Sequence, residues 1–203
     1  KKKIDFYGQL ILVVLIYFLI SVLISIPYFF SNYKISLINS LFESFSGITG
    51  TGFSVFYNIK YIDPTLILWR SSSQWIGGLY FLLFLFTFFS NSHFNYKLIS
   101  LINTSDGNLN SEINIKRTTI NIFLIYTFLT LSFFILFSSS GVRLFNSLNI
   151  SMTLISSGGF LPTNTLNQII TTNFQKILLL VFFLISTLNI VLIYNLFFKK
   201  NII

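Results

Sequence analysis

The chain has 203 residues, of which 54% are hydrophobic and 9% are charged, and its formal net charge is +8 at pH 7. Soluble domains carry about 25% charged residues, so this composition excludes an ordinary soluble domain and predicts an integral membrane protein. Lysine and arginine flank the apolar stretches and do not cluster on one face, which argues against a nucleic-acid partner. Because the sequence contains no cysteine, disulfides and thiolate metal sites are excluded.

A long uncharged stretch follows the three lysines at the start of the sequence. Residues 6–33 contain no charge, which is ample for the roughly 20 residues that a membrane-spanning helix needs. The alternative is a signal peptide, whose apolar region has about 7–15 residues and ends at small residues. This stretch is longer and ends at Pro27-Tyr28-Phe29-Phe30, so we expect a retained helix.

A short apolar segment and a glycine-rich stretch come next. Residues 35–45 are too few to span a membrane, and residues 46–54 read SGITGTGFS. At membrane depth the backbone of such a loop must be satisfied by protein or by a water-filled cavity, and its carbonyl oxygens can replace the water around a cation. The pattern predicts a re-entrant pore helix followed by a selectivity filter, and a glycine-rich surface turn is the alternative.

Glu43 lies within the short segment. A carboxylate at this depth is costly, and it is usually functional or paired. We interpret Glu43 as the partner of Arg70 in a salt bridge that holds the loop, in preference to a ligand of the ion.

Asp63-Pro64 predicts the start of a second spanning helix, which continues to about Ser90, because Asp is a favourable N-cap and Pro suits the first helical position. The early turns of this helix contain two tryptophans that suit a membrane interface and a Gly-Gly pair that permits another backbone to approach closely. An ordinary span with interfacial anchors explains Trp69 and Trp75, but it leaves Arg70, Gln74, Gly77 and Gly78 unexplained.

The second half of the chain repeats the first. Residues 91–117 form a polar connection, followed by a third span at 118–142, a second pore helix at 144–155, a second filter at 156–160 and a fourth span at 173–198. His93 in the connection is the single histidine, and we interpret it as solvated. Asn39-Ser40-Leu41 recurs as Asn146-Ser147-Leu148, and Gly52-Phe53 recurs as Gly159-Phe160, always 107 positions later. Internal symmetry of this kind is typical of membrane transport folds and favours a pore.

The basic residues also predict an orientation. With the amino terminus inside, eight basic residues are cytoplasmic and five are external or near that face, in agreement with the positive-inside rule. Both filters are then entered from outside.

The sequence LFESFSGITGTG at 41–52, the Trp69-Arg70 pair, the sequence QWIGG at 74–78 and the sequence ISSGGF at 155–160 together resemble the Trk/Ktr/HKT potassium transporters. The resemblance covers nearly the whole chain, and it implies a potassium-uptake function in the bacterial cytoplasmic membrane. The family has four helix–pore–helix repeats around one central pore, whereas this chain has two, which implies a fragment, a split half or a dimer of two-repeat chains. Family filters often carry threonine where Gly50 stands, which implies a more flexible filter.

By this resemblance the fold is an all-α integral membrane protein of two tandem helix–pore loop–helix repeats, at 1–96 and 118–203, joined by a cytoplasmic loop at 97–117. The implied potassium-binding residues are Thr49, Gly50, Thr51, Gly52, Ser156, Ser157, Gly158 and Gly159. The implied structural supports are Glu43, Arg70, Gln74, Gly77 and Gly78.

The resemblance implies potassium as the transported ion, and no organic cofactor is expected. Implied partners are the two remaining pore repeats, a second copy of the full-length subunit, a cytoplasmic nucleotide-binding regulatory subunit and the lipid bilayer. A non-conducting scaffold or assembly subunit of the same fold is the alternative function. An enzyme is not expected, because the sequence has no paired histidines and no clustered carboxylates for acid–base chemistry.

Overall fold

We describe the fold from a computed structural model, which defines residues 6–91 and 111–187. Within these ranges all regular secondary structure is helical. The six α-helices are α1 (Phe6–Phe29), α2 (Leu37–Thr49), α3 (Pro64–Asn91), α4 (Ser111–Ser139), α5 (Leu144–Ile155) and α6 (Asn173–Thr187). Two short 3-10 helices, Ile59–Tyr61 and Leu166–Gln168, precede α3 and α6. The predicted all-α class is confirmed.

The helices follow the repeat in the sequence. Short helices α2 and α5 begin at Leu37 and Leu144, and the 3-10 helices begin at Ile59 and Leu166, so both pairs are 107 residues apart. The order long helix, short helix, 3-10 helix, α-helix therefore occurs twice. Each half thus contains the same local structure built on a different sequence.

Two helices are long and apolar enough to cross a membrane, over Leu10–Phe29 in α1 and Thr119–Ser139 in α4. With 13 and 12 residues, α2 and α5 are about 20 Å long or less, which is short of the roughly 30 Å hydrocarbon core. α3 has 28 residues, but Arg70 and the serines beside it lower the hydropathy of its first half. α6 is described over 15 residues, so the second and fourth predicted spans stay predictions.

Three helix boundaries can be compared with the sequence predictions. α3 begins at Pro64 as predicted. α2 does not end at residue 45 but continues to Thr49, because Ser46, Gly47 and Ile48 are buried and the helix ends where Gly50 adopts a left-handed conformation with φ 69°.

α4 begins at Ser111, inside the predicted connection, since a helix can continue beyond its apolar stretch. The rest of the connection from 97 to 110, His93 and both chain termini lie outside the described residues.

α3 joins two hydrophobic clusters. One cluster, around Ile24, Tyr28, Ile48 and Ile67, packs α1 and α2 against α3. The other packs α4, α5 and α6 together, with the rings of Phe133 and Phe182 stacked 4.1 Å apart. α3 therefore lies between the two halves of the molecule.

Trp75 shows how α3 attaches to the second half. Its indole donates a hydrogen bond to Thr130 Oγ1 (3.0 Å), and its carbonyl oxygen accepts one from Tyr126 Oη (3.0 Å). The side chain packs against the second cluster, partly buried. The ring of Trp75 thus contributes to helix packing, and the interfacial position predicted for both tryptophans stays a prediction. Trp69 is 38% exposed and donates to the carbonyl oxygen of Ile24.

Candidate functional site

The loops that follow α2 and α5 share one backbone conformation. Gly50 and Gly52 have φ values of 69° and 76°, and their counterparts Ser157 and Gly159 have φ values of 54° and 80°. A left-handed conformation is uncommon for a residue with a side chain and costs roughly 1–2 kcal/mol at Ser157. Because the two sequences differ and the conformation persists, the backbone geometry is the shared property of these loops.

Hydrogen bonds at the helix ends repeat in the same register. The amide of Gly50 donates to the carbonyl oxygen of Gly47 (3.1 Å), as Ser157 donates to that of Leu154 (3.0 Å). Thr51 N donates to Ser46 O (3.1 Å), and Gly158 N donates to Thr153 O at 2.9 Å. Each loop is therefore fastened to the helix that precedes it by its amide groups.

Three carbonyl oxygens of the loops accept no hydrogen bond from the described residues. No described residue donates a hydrogen bond to the carbonyl oxygens of Gly50, Thr51 or Ser157. In the described ranges, no group of three His, Asp or Glu side chains could hold a metal ion. A cation held here would therefore be bound by backbone oxygens, which is the chemistry of a selectivity filter.

α3 supports both loops with one face. Arg70, Gln74, Gly77 and Gly78 are spaced so that they lie on the same side of the helix. Arg70 and Gln74 are 1% and 0% exposed. Polar side chains buried this completely need partners. Arg70 finds Glu43 on α2 and Ser54 after the first loop, and Gln74 finds its partners in the second loop.

Arg70 forms the ion pair that the sequence suggested. Its Nε lies 2.7 Å from Oε1 of Glu43, and both side chains are fully buried. The other carboxylate oxygen of Glu43 accepts a hydrogen bond from the backbone amide of Val55 (2.9 Å). Ser54 Oγ bridges the pair, since it donates to Glu43 (3.0 Å) and accepts from Arg70 Nη2 (2.9 Å). The pair thus fixes the chain that leaves the first loop.

Arg70 also reaches the second loop. Its guanidinium carbon lies 4.2 Å from the centre of the Phe160 ring and 5.5 Å from that of the Phe56 ring. Cations over aromatic faces at these distances are attracted by the ring quadrupole. Ser54, Phe56 and Phe160 did not stand out as supports in the sequence, although all three lie in or directly after the glycine-rich stretches.

Gln74 holds the second loop directly. Its Nε2 donates to the carbonyl oxygen of Gly158 (2.6 Å), and its Oε1 accepts from the backbone amide of Phe160 (3.1 Å). The two bonds enclose Gly159, whose φ is 80°. The amide side chain therefore restrains both peptide groups of the tightest part of this loop.

The two glycines of α3 give the backbones room. A Cβ atom on Gly77 would overlap the backbone of Ile48, and one on Gly78 would press against Ser156 and the hydroxyl of Tyr126. The close approach that the Gly-Gly pair predicted is therefore present, one glycine facing the end of α2 and the other facing the end of α5.

Outside the loops, Asn164 joins the two halves. Its Oδ1 accepts from the amide of Ile59 (2.7 Å), and its Nδ2 donates to Oδ1 of Asn58 at 3.3 Å. The sequence analysis did not identify Asn164, because a contact between residues 105 positions apart leaves no local pattern.

No family model matches the chain. Over 167 residues it is 28% identical to an uncharacterised cation transporter of Methanocaldococcus jannaschii, which covers 80% of this chain and 34% of that protein. Over 73 residues it is 36% identical to the Trk system potassium uptake protein TrkI of Halomonas elongata, which covers 36% of this chain and 15% of TrkI.

The fold is similar to the crystal structure of the potassium transporter TrkH from Vibrio parahaemolyticus. The TM-score is 0.77 and the sequence identity is 25%, over 98% of this chain and 39% of the TrkH chain. The chain thus spans 34% of the length of the cation transporter and 39% of the length of the TrkH chain. Sequence and fold agree in what this chain is similar to, namely cation and potassium transporters of the Trk type.

Proposed function

We propose that this chain supplies two filter loops of a potassium-conducting pore in the cytoplasmic membrane. The residues that contribute are Thr49, which the structure places as the last residue of α2, with Gly50, Thr51 and Gly52 in the loop after it, and Ser156, Ser157, Gly158 and Gly159 in the second loop. The observation that carries the proposal is the shared left-handed backbone of two loops whose carbonyl oxygens at Gly50, Thr51 and Ser157 receive no donor from the described residues.

The physical basis is the exchange of water for backbone oxygens. A cation enters a filter when carbonyl groups replace its hydration shell, and oxygens are needed on all sides of the ion. Two loops provide part of such a shell. The proposal therefore includes further pore repeats, in the same or another chain, around the loops of repeats 1–96 and 118–203.

The family resemblance adds two partners to the proposal. They are a second copy of the full-length subunit and a cytoplasmic nucleotide-binding regulatory subunit. The two long apolar helices support a position in the bilayer with several crossings. Potassium is the cargo in this scheme and needs no organic cofactor.

Replacement of one glycine tests the filter. A Cβ on Gly52 would collide with the carbonyl oxygen of Gly158, whereas one on Gly50 would be 3.6 Å from its nearest neighbour. Gly50 also corresponds to Ser157, which already carries a side chain in the left-handed region. We expect Gly52→Ser to lower the potassium-to-sodium permeability ratio about tenfold or more, equivalent to about 1.4 kcal/mol, and Gly50→Ser to change it less.

Reversal potentials of the assembled transporter in mixed potassium and sodium solutions provide the measurement, with the amount of protein in the membrane as the control. If Gly52→Ser reaches normal membrane levels with an unchanged permeability ratio, the loop has no filter role. That result would favour a scaffold subunit.

A further inference from the structure

The two filter loops differ at one pair of equivalent carbonyl groups. Thr51 and Gly158 occupy the same place in the repeat, 107 residues apart. No described residue donates a hydrogen bond to the carbonyl oxygen of Thr51, whereas that of Gly158 accepts one from Gln74 Nε2 at 2.6 Å. The loops therefore present oxygens that are chemically unequal.

Chemistry fixes the orientation of the Gln74 side chain. Gly158 O requires a donor and Phe160 N requires an acceptor, so a rotation of the amide by half a turn would lose both hydrogen bonds. The side chain is fully buried, and a Cβ on Gly158 would overlap its amide group. Gln74 is thus held rigidly against the peptide group that it contacts.

We propose that Gln74 is a specificity-determining positioning residue, whose amide restrains the Gly158 carbonyl and weakens the attraction of that oxygen for a cation. This proposal rests on the proposed function and deepens it. The cation class is the alkali-metal ions, and the property that Gln74 sets is the preference for potassium over sodium.

The reason lies in field strength and rigidity. An oxygen that already accepts a short hydrogen bond has less negative potential to offer an ion, and its carbonyl group has less freedom to move inward. Selectivity between alkali ions depends on the size of the cavity or on the number and field strength of its carbonyl dipoles. A freed Gly158 carbonyl would have a stronger field and could close around a smaller ion, and both changes favour sodium.

Two substitutions separate the contacts of Gln74. Gln74→Met has a similar length and removes both hydrogen bonds. Gln74→Glu retains an acceptor for Phe160 N and, when ionised, removes the donor to Gly158 O. The matched control is Val181→Met, since Val181 occupies the position equivalent to Gln74 on α6 and is 46% exposed.

The readout is thermal stabilisation of the purified full-length protein by potassium chloride and by sodium chloride, at ionic strength held constant with choline chloride. A ligand that binds the native state stabilises it by RT ln(1 + [L]/Kd), so a tighter ligand raises the unfolding temperature at a lower concentration. We expect the ratio of half-stabilising concentrations, sodium over potassium, to fall about tenfold in Gln74→Met and to fall also in Gln74→Glu. Val181→Met is expected to keep the wild-type ratio.

The outcomes are distinct. A wild-type ratio in a folded Gln74→Met or Gln74→Glu protein overturns the inference and leaves the proposed function intact. Stabilisation of the wild-type protein by neither cation overturns both. If Gln74→Met does not fold, the ratio measured for Gln74→Glu decides. If neither variant folds, Gln74 has only a structural role, and this result counts against the inference.

Discussion

Arg70 contacts residues of both repeats. It forms an ion pair with Glu43 and a hydrogen bond with Ser54 in the first repeat, and its guanidinium lies over the Phe160 ring in the second. The positions equivalent to Glu43 and Arg70 in the second repeat are Ile150 and Ile177. Since the second repeat adopts the same local structure without the pair, the buried charges are needed at the junction between the loops and not for the helices.

Removing one charge of this pair is expected to cost more stability than removing both. Arg70→Met leaves the Glu43 carboxylate buried without its counter-charge, and such changes cost about 3–5 kcal/mol. The double variant Glu43→Ile with Arg70→Met removes the stranded charge as well, so it is expected to recover part of that loss. Unfolding midpoints of the two single variants and the double variant in detergent form the test, and additive losses would contradict it.

Among the helices, α3 is the one that packs against both halves of the molecule. The end of α2 packs against Gly77 and the end of α5 packs against Gly78, while Trp75 ties the same helix to α4. A side chain at Gly77 or Gly78 would push the backbone of α3 away from the ends of α2 and α5, where the two loops begin. The glycines therefore have a packing role that outweighs their low helix propensity.

Gly77→Ala sets two effects against each other. Alanine gains about 1 kcal/mol in helix propensity, but its Cβ would overlap the Ile48 backbone, and backbone cannot move aside as a side chain does. Overpacking typically costs about 1–3 kcal/mol, and an overlap with backbone belongs at the upper end. We therefore expect a lower unfolding temperature for Gly77→Ala and a change close to zero for the control Ile76→Ala, which is 45% exposed. A more stable Gly77→Ala protein would show that α2 can move away.

Some of this arrangement could be predicted from the sequence. Asp63-Pro64 located the start of α3, and the repeat of 107 residues located the second short helix. The Glu43–Arg70 contact was also expected, because two opposite charges in an apolar environment have few other partners. The end of α2 could not be predicted, since Ser46 and Gly47 favour a loop locally and become helical through packing against α3. Nor could the bonds of Gln74, which join residues 84 and 86 positions apart.

At the scale of the whole molecule, both loops lie on the same side of the helices. The C-terminal end of α1 and the start of α3 are tied together there, since Tyr33 Oη donates to the carbonyl oxygen of Tyr61 (3.1 Å) and accepts from the amide of Asp63 (2.6 Å). Asn164 connects the outer segments of both halves at Asn58 and Ile59. The charge distribution predicts that this side lies outside the cell.

Cysteine labelling tests the orientation. Asn58 is exposed in the segment between α2 and α3, and Ser105 belongs to the predicted cytoplasmic connection. In intact cells, we expect an impermeant thiol reagent to label Asn58→Cys and not Ser105→Cys, and both should be labelled after permeabilisation. The reverse pattern in intact cells would invert the predicted topology.

The buried ion pair also has a consequence for biosynthesis. An arginine costs about 2.5–3.5 kcal/mol during insertion at the centre of a spanning helix and less toward its ends. α3, a predicted span, carries Arg70 in its second turn beside three serines and Gln74. Glu43 precedes Arg70 by 27 residues, so the ribosome delivers the neutralising carboxylate before the charge that needs it. We therefore expect α3 to enter the bilayer together with α1 and α2.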